Sequence, residues 1–264
     1  MKNNPSTHFM LLITSIIIIS SCSKDEPDNF NTSDNSYKDK LHKIITYVAG
    51  DSAFYEFKYD INGKITNIFA KSEDDDYLTS FAFSRNTSGH LIGCIHKETE
   101  KVIHNIVYNV DQAGKFISSQ QTSSVSGKIV KASEKFTYTG DQLTKIEYTS
   151  EDQSQVFFIN LKYDGKGNLI KVEDSRGRTQ EATFDNKTNP VELLNLPYFM
   201  MNIDVLTSVN PNNIITKKYV SNSSNYSQSF SYSYNKSGKP ASGTIILQRS
   251  NGTGDSYNLK YVYY

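Results

Sequence analysis

The chain has 264 residues with 28 basic and 28 acidic side chains, so its formal net charge is zero. No long-range field attracts a polyanion and no basic tract offers a phosphate footprint, which argues against a nucleic-acid partner. The 18 Tyr and 14 Phe residues, without any Trp, favour strands on half-buried sheet surfaces. With two cysteines, Cys22 and Cys94, the sequence predicts no disulfide framework, so a large core must supply the stability.

Residues 1–21 are predicted to be a lipoprotein signal peptide. Lys2 supplies a positive charge, and residues 9–19 form an apolar stretch that is too short for a stable membrane anchor. The tetrad from Ile19 to Cys22, Ile-Ser-Ser-Cys, resembles the lipobox of bacterial lipoproteins. That resemblance implies cleavage before Cys22 and acylation of its thiol with palmitate-like chains. An ordinary secretory signal with an incidental cysteine, or a short membrane anchor, is the alternative.

Residues 22–36 are predicted to be the acylated cysteine and a flexible polar tether. The residues that follow the cysteine resemble the surface-export signal of Bacteroidetes lipoproteins; they are Ser23, Lys24, Asp25 and Glu26. This resemblance implies a lipid-anchored protein in the outer membrane that faces the cell exterior. The alternative is a solvated acidic linker without signal function.

Residues 37–264 form the predicted folded domain, in which one pattern recurs roughly every 25 residues. An aromatic strand ends at Tyr or Phe, a polar turn with Gly follows, and an aliphatic strand begins. The structural turn residues predicted from this pattern are Tyr59, Asp60, Gly63, Gly89, Gly114, Tyr138, Tyr163, Asp164, Gly167 and Gly238. Looser copies begin at Phe83, Tyr108, Phe184 and Tyr234.

Each part of the repeat has a physical reason. Tyr55, Phe57 and Tyr59 alternate with Glu56 and Lys58, which places the aromatic residues on one buried face of a strand. Gly takes positive φ without steric cost in hairpin turns, and an Asp or Asn side chain can bond the turn backbone. The sequence therefore predicts an all-β, antiparallel up-and-down meander of about 14–16 strands, rolled into a barrel or half-barrel.

Residues 190–213 interrupt the repeat. They hold three of the six prolines and two of the four methionines, and their apolar residues do not alternate with polar ones. We interpret this segment as a short helical or irregular insert that packs on the sheet.

The Tyr-Asp turns resemble YD or RHS-type repeats. Together with the segment from Phe184 to Pro190, the apolar insert and the leader, they resemble a narrower family, the Bacteroidetes lipoprotein domain of unknown function 4595. The resemblance covers roughly residues 37–264. It implies a porin-like fold, a rolled antiparallel β architecture, and no known activity. The copies at Phe83 and Tyr108 depart from the pattern, because they lack the aromatic-Asp pair.

The best metal-ligand candidates are His96 and His104, which could face each other across a hairpin, with Cys94 on the same strand face as His96. No tight ligand pair supports them, so we interpret them as a solvent-facing histidine pair beside a buried cysteine. The acidic run Asp74–Asp76 is interpreted as a solvated hairpin tip rather than a calcium loop. We therefore predict no metal and no cofactor.

No nucleophile, phosphate-loop or dinucleotide motif is present, so the sequence predicts a binding or structural module rather than an enzyme. A glycan-binding lipoprotein is one alternative; its exposed platform would come from Tyr219, Tyr226, Tyr263 or Tyr264. Glycan hydrolysis is the most credible enzymatic alternative, since it needs two acids and leaves no motif. An integral outer-membrane barrel is the third, although the C-terminal residues 259–264 lack the usual preceding Gly.

Overall fold

A computed structural model describes residues 39–48, 51–72, 78–99, 101–125, 127–191, 210–222 and 224–264. The first half of the described barrel consists of β1 (Leu41–Val48), β2 (Asp51–Tyr59), β3 (Ile65–Ser72), β4 (Leu78–Arg85), β5 (Leu91–Glu98), β6 (Lys101–Val110), β7 (Phe116–Val125) and β8 (Lys128–Thr139). The second half consists of β9 (Gln142–Ser150), β10 (Val156–Tyr163), β11 (Leu169–Asp174), β12 (Arg178–Thr188), β13 (Asn212–Val220), β14 (Asn225–Tyr234), β15 (Pro240–Arg249) and β16 (Gly254–Tyr263).

The strands form one closed antiparallel barrel. Every strand pairs with its neighbours in sequence, and β1 pairs with β16 to close the ring. The predicted up-and-down meander is confirmed, at the upper end of the expected strand number, and the ring is a full barrel rather than a half-barrel. The part of the chain that the structure describes contains no helix long and apolar enough to cross a membrane.

Some predicted features fall on residues that the structure does not describe. The signal peptide and the tether lie within residues 1–38, and the acidic run lies within residues 73–77. Most of the insert, residues 192–209, is also outside the described ranges. These assignments stay predictions.

The two ends of the barrel differ in their turns. We call the end with the turns that follow even-numbered strands the motif end, because these turns carry the repeated sequence. The two ends of the described chain, Asp39 and Tyr264, meet at the same end, where Asp39 N donates to Tyr264 O at 3.3 Å. The opposite end, formed by the turns that follow odd-numbered strands, is the far end. The chain therefore enters and leaves the barrel at the motif end.

A continuous hydrophobic cluster fills the interior. Every strand contributes to it except β7 and β12, whose Phe116 and Phe184 pack against it half-buried. The buried members are Leu41, Ile44, Tyr55, Phe57, Ile65, Ile68, Phe81, Leu91, Cys94, Tyr108, Phe136, Ile146, Leu161, Leu169, Val191, Ile214, Tyr219, Tyr226, Phe230, Ile245, Leu247, Tyr257 and Leu259. This interior contrasts with the polar, water-filled lumen of a 16-stranded porin.

Bulges reconcile the aliphatic spacing with the pleat. Ile65 and Ile68 are three residues apart, so plain alternation would place them on opposite faces. The register shifts between Lys58 and Tyr59, opposite the start of β3, and both isoleucines are buried. The same shift occurs between Lys162 and Tyr163 at the start of β11. The first aliphatic residue after each of these turns thus points into the core.

Candidate functional site

The repeated turns share one hydrogen-bonded geometry. Asp60 Oδ1 accepts the backbone N–H groups of Asn62 and Lys64 at 2.9 and 2.8 Å. The glycine of this turn, Gly63, has φ of 70°, in the left-handed region that a side chain would strain. The equivalent side-chain caps are Asn86, Asp111, Asp164 and Asn235. The equivalent left-handed glycines are Gly89, Gly114, Gly167 and Gly238.

The copies of the repeat at Phe83 and Tyr108 keep the capped turn and differ in where the aromatic residue lies. Behind Phe83 and Tyr108 the cap is three residues further on, at Asn86 and Asp111, instead of directly adjacent as in Tyr59-Asp60. Searching for the aromatic-Asp pair therefore missed both caps. In both turns the cap lies four residues before the residue that follows the glycine, and a search for an Asp or Asn at that distance would identify them.

Lysines connect neighbouring turns at the motif end. Lys64 Nζ donates to Gly89 O at 3.2 Å, and Lys115 Nζ donates to Gly140 O at 3.1 Å. Lys239 Nζ donates to Asp39 O at 2.7 Å, next to the point where the barrel closes. Each of these lysines follows the turn glycine, so the repeat places a bridge from one hairpin to the next. We call this set of contacts the turn belt.

Two repeats depart from the shared turn geometry. After Tyr138, β8 and β9 are joined by Gly140 and Asp141 alone, with Gly140 at φ of 60°, and Thr139 stands where the other turns have their Asp or Asn cap. Asp185, the cap expected after Phe184, accepts the Lys187 N–H at 2.9 Å but also binds two other strands. Its carboxylate accepts the Asn213 backbone N–H at 3.1 Å and the Asn213 Nδ2 at 3.2 Å, and it accepts the Tyr234 hydroxyl. Asp185 therefore joins β12, β13 and β14, and we call Asp185 with its partners Asn213 and Tyr234 the clamp.

The barrel wall opens beside this clamp, between β11 and β12. Their pairing runs from Asp174 and Arg178 to Lys171 and Glu181 and stops there. In its place, Leu169 N donates to the side chain of Asn210 at 2.5 Å. The ladder between these strands therefore ends at Lys171, two residues before β11 reaches its motif-end terminus at Leu169.

Asparagine side chains hold this opening. Asn168 Nδ2 donates to Asp164 Oδ2 at 2.9 Å and to Asn212 Oδ1 at 3.1 Å. Asn168 and Asn210 are 1% and 6% exposed, so these amides replace missing backbone partners inside the wall. We call Asn168, Asn210, Asn212 and Asn213 the asparagine wedge. Sequence reasoning missed it, and the only signal was the density of Asn around the three prolines of residues 189–213.

A cavity of about 220 Å³ lies at the opening, and we call it the seam cavity. Its walls combine carboxylate, amide, hydroxyl, amine and one aromatic ring; they are Asp164, Lys166, Asn168, Ile170, Ala182, Thr183, Phe184 and Asp185. Its volume is below the 300–1,000 Å³ of drug-sized sites. A molecule of about one sugar ring or one amino acid matches it.

The two carboxylates of the seam cavity are already engaged. Partial burial raises the pKa of Asp164, but the hydrogen bonds from Asn168 and from the turn backbone outweigh it and hold the pKa below its usual value. Asp185 accepts from Lys187, Asn213 and Tyr234. Both groups can accept a further hydrogen bond, whereas neither is arranged as a proton donor. The site suits binding better than acid–base chemistry.

The histidine pair lies inside the barrel. His96 and His104 are cross-strand partners, and the His96 side chain is 17% exposed, so the solvent-facing interpretation is wrong. His96 lies two residues after the buried Cys94 on β5, so both side chains point to the same, inner face of the strand. His104 Nδ1 lies 2.7 Å from Ser123 Oγ and 3.0 Å from Gln121 Nε2.

The surroundings of the pair make it a structural group. Burial lowers the pKa of His96 to about 4, with His104 adding to the effect, and burial also lowers the pKa of His104. Burial raises the pKa of the Cys94 thiol to about 12, so the thiol is a poor nucleophile. Among the described residues, no group of three or more His, Cys, Asp or Glu side chains is arranged to hold a metal ion.

The expected tyrosine platform does not form from the residues named for it. Tyr219 and Tyr226 are 5% and 8% exposed and stack on each other inside the barrel, with ring centroids 5.0 Å apart. Tyr263 donates its hydroxyl to Pro240 O, and Tyr264 stacks on His42. The predicted exposed platform is therefore wrong for these residues. Tyr219 and Tyr226 belong to the core, and Tyr263 and Tyr264 contact neighbouring strands near the point where the barrel closes.

Comparison with known proteins identifies the fold. A porin-like protein from Bacteroides uniformis has a TM-score of 0.60 over 88% of this chain and 100% of its own, at 14% identity. A porin-like protein from Bacteroides vulgatus has a TM-score of 0.51 over 86% and 99%, at 13% identity. The barrel thus has the fold of these porin-like proteins. No family model and no curated protein matches the chain.

Proposed function

We propose that the protein is a lipid-anchored lipoprotein of the outer membrane, exported to the cell surface, whose barrel stands in water and serves as a binding or structural module. The observation that carries this proposal is the exterior of the barrel, where polar and charged outward positions separate single exposed apolar residues on different strands, such as Val107, Ile129 and Val156. The outward positions of β14 are Ser227, Ser229, Ser231 and Ser233, and those of β8 include Lys131, Ser133 and Lys135. Those of β16 include Ser256, Asn258 and Lys260.

A barrel that faces lipid needs an apolar outer band about 25 Å tall. Here charged ladders occupy the wall instead, such as Lys145 with Glu147 and Lys171 with Glu173, each pair at 2.7 Å. The outward Phe158 is 40% exposed and lies beside a charged side chain, with Lys145 Nζ 4.4 Å from its ring centroid. The packed interior, in turn, argues against a water-filled pore. Both faces favour a water-exposed barrel over an integral one.

The leader supports the anchoring part of the proposal. The lipobox-like tetrad ends at Cys22, and the acidic residues behind it match a surface-export signal. The resemblance to the Bacteroidetes lipoprotein domain of unknown function 4595 points the same way. We further propose that the protein is not an enzyme, since Asp164 and Asp185, the two acids of the seam cavity, already accept hydrogen bonds from the turn backbone.

Glycan binding is the second candidate function, and the seam cavity favours it. Carboxylate and amide oxygens beside the ring of Phe184 are groups that can accept sugar hydroxyls and cover a sugar face. The engaged carboxylates Asp164 and Asp185 support binding without hydrolysis.

Purification tests the first proposal. Residues 37–264 should fold and stay monodisperse without detergent, with a β-rich circular dichroism spectrum. A domain that folds only in detergent micelles would instead support the integral barrel.

A glycan screen tests the second candidate. Binding that is lost in Lys166→Ala, at the rim of the seam cavity, and kept in Lys162→Ala, on the exposed wall of β10, would support a seam site. Reducing-end release that depends on Asp164 or Asp185 would overturn the non-enzyme proposal.

A further inference from the structure

The position of Asp39 relates the barrel to its membrane. Asp39 N donates to Tyr264 O at 3.3 Å and Asp39 O accepts from Lys239 at 2.7 Å, so the described chain starts at the motif end. The proposed anchor, Cys22, is separated from it by residues 23–38. The flexible tether that their composition predicts would have a root-mean-square span of about 22 Å at this length.

The barrel is about as tall as that span. A strand of about ten residues rises roughly 33 Å, and the usual tilt of barrel strands reduces the height to about 25 Å. With the far end on the membrane, Asp39 would be a full barrel height away, and the tether would have to stretch beyond its average span. With the motif end on the membrane, Asp39 lies close to the membrane surface, so the tether does not have to stretch and loses no conformational entropy to stretching. The attachment point therefore favours one orientation.

The motif end also carries the matching charge. The exposed lysines at this end are Lys64, Lys166 and Lys236 in the turns and Lys187 at the end of β12. The acidic caps are folded back, because the carboxylates of Asp60, Asp111, Asp164 and Asp185 accept hydrogen bonds from turn backbone. Asp39 and Asp141 are the exposed acids of the described residues at this end, and Asp141 is paired with Lys115 at 2.7 Å.

We propose that the exposed lysines of the motif end rest on the anionic headgroup surface of the membrane that holds the lipid anchor, and that the far end points away from it. Lysine side chains within a Debye length of an anionic surface are attracted by about 1 kcal/mol each, which is about fivefold in binding for each lysine. This inference rests on the proposed lipid anchoring. The far end is then the face that an external macromolecule meets first, whereas the seam cavity, whose rim residue Lys166 lies at the motif end, is on the membrane side. The inference therefore goes with the first proposed function and not with glycan binding in the seam cavity.

The test places a fluorophore at either end of the full, lipidated chain. Ser237→Cys labels an exposed turn tip of the motif end, and Lys128→Cys labels an exposed turn of the far end. The native Cys94 is 3% exposed and does not react under mild labelling. Each protein is reconstituted in vesicles of phosphatidylglycerol and phosphatidylcholine that carry a nitroxide on the headgroup.

The label at Ser237 should be quenched several-fold more than the label at Lys128. Equal quenching, or stronger quenching at Lys128, would overturn the orientation while leaving the anchor intact. A chain that does not bind vesicles at all would overturn the proposed anchoring, and this inference with it. The two failures are therefore distinguishable.

A charge-reversal variant tests the lysine contribution. Changing the four exposed lysines of the motif end to Glu should lower the quenching at Ser237. The control reverses four exposed lysines in the half of the barrel toward the far end, namely Lys71, Lys101, Lys131 and Lys218, and should leave that quenching unchanged. Melting temperatures close to that of the unmodified barrel show that both variants fold. Unchanged quenching in the first variant would overturn the role of the headgroup surface.

Discussion

His96 lies directly opposite His104 on neighbouring strands, with the two rings 11° from parallel and their centroids 5.4 Å apart. Phe81 stacks on the other face of His96 at 4.6 Å. A second positive charge at that distance is strongly unfavourable in a desolvated interior, so the folded barrel keeps the pair neutral. The unfolded chain has no such restriction.

This pair should make the barrel acid-sensitive. Its stabilising effect is fully present above the ordinary histidine pKa of about 6.5 and is lost as pH falls from there toward 4, because the unfolded chain then binds more protons. The loss from His96 alone is about 2–3 kcal/mol by pH 4. The melting temperature should drop less over this range in His96→Phe, which keeps the stack, than in the unsubstituted chain.

The turn histidine His90 provides the matched control. His90→Gln also removes one imidazole, but at the motif end beside Gly114. Its melting curve should follow the unsubstituted chain between pH 7 and pH 4. Identical acid profiles for all three proteins would refute a special role for the pair.

Gly167 should be far less replaceable than Gly165 in the same turn. Gly167 has φ of 86°, whereas Gly165 has no positive φ. A Cβ at Gly167 would meet only Pro211, at 3.8 Å, and a Cβ at Gly165 would meet nothing within 4 Å, so steric clash does not distinguish them. Gly167→Ala should cost about 1–2 kcal/mol of unfolding free energy in urea titration, and Gly165→Ala should cost none. Equal losses would contradict the backbone explanation.

Asp185 should matter more than an ordinary turn cap. In Asp185→Ala, the Tyr234 hydroxyl and the buried Asn213 backbone N–H lose an acceptor and the Asn213 amide keeps only Lys187 O, so we expect a loss of about 2–3 kcal/mol of unfolding free energy. Asp111 caps a normal turn through two backbone N–H groups, so Asp111→Ala should cost clearly less. Chemical denaturation of both variants measures the difference. A larger loss from Asp111→Ala would show that the clamp is not a main support of the wall.

The sequence predicts the barrel well and its opening poorly, for physical reasons. Alternating aromatics such as Tyr55, Phe57 and Tyr59 and the turn glycines are local signals that directly set strand faces and hairpin geometry. The asparagine wedge depends on partners 41 to 44 residues apart, such as Asn210 with Leu169, which no local pattern reveals.

The direction of the histidine pair was missed for a related reason. The sequence places His96 on the same strand face as Cys94, but the polarity of the imidazole ring favours the solvent-facing side of the strand. A buried imidazole is tolerated here because Ser123 and Gln121 hydrogen-bond His104. Those partners lie on β7, where the sequence alone gives no register.

Cys22 should be the site of lipid attachment. The apolar stretch, the small residues and the cysteine are in the register that a lipoprotein signal requires. Cys22→Ala should abolish labelling with fatty acid and leave the precursor uncleaved or the barrel released from membranes. Fatty-acid labelling and fractionation of a Cys94→Ala strain serve as control and should be normal. A Cys22→Ala protein that still takes up label would contradict the assignment.

Lys24, Asp25 and Glu26 should direct the anchored protein to the outer face of the outer membrane. The charges follow the acylated residue directly, at a position where a sorting system can read them before the barrel is reached. In intact cells, protease should digest the barrel of the unsubstituted protein, and changing all three residues to Ala should protect it. Changing Asp28, Asn29 and Asn31 to Ala alters the same tether without touching the signal and should leave digestion unchanged. Because Cys22 remains in both variants, fatty-acid labelling should be equal, which separates loss of export from loss of anchoring. Protection of the unsubstituted protein, or equal digestion of all three, would show that these residues carry no export information.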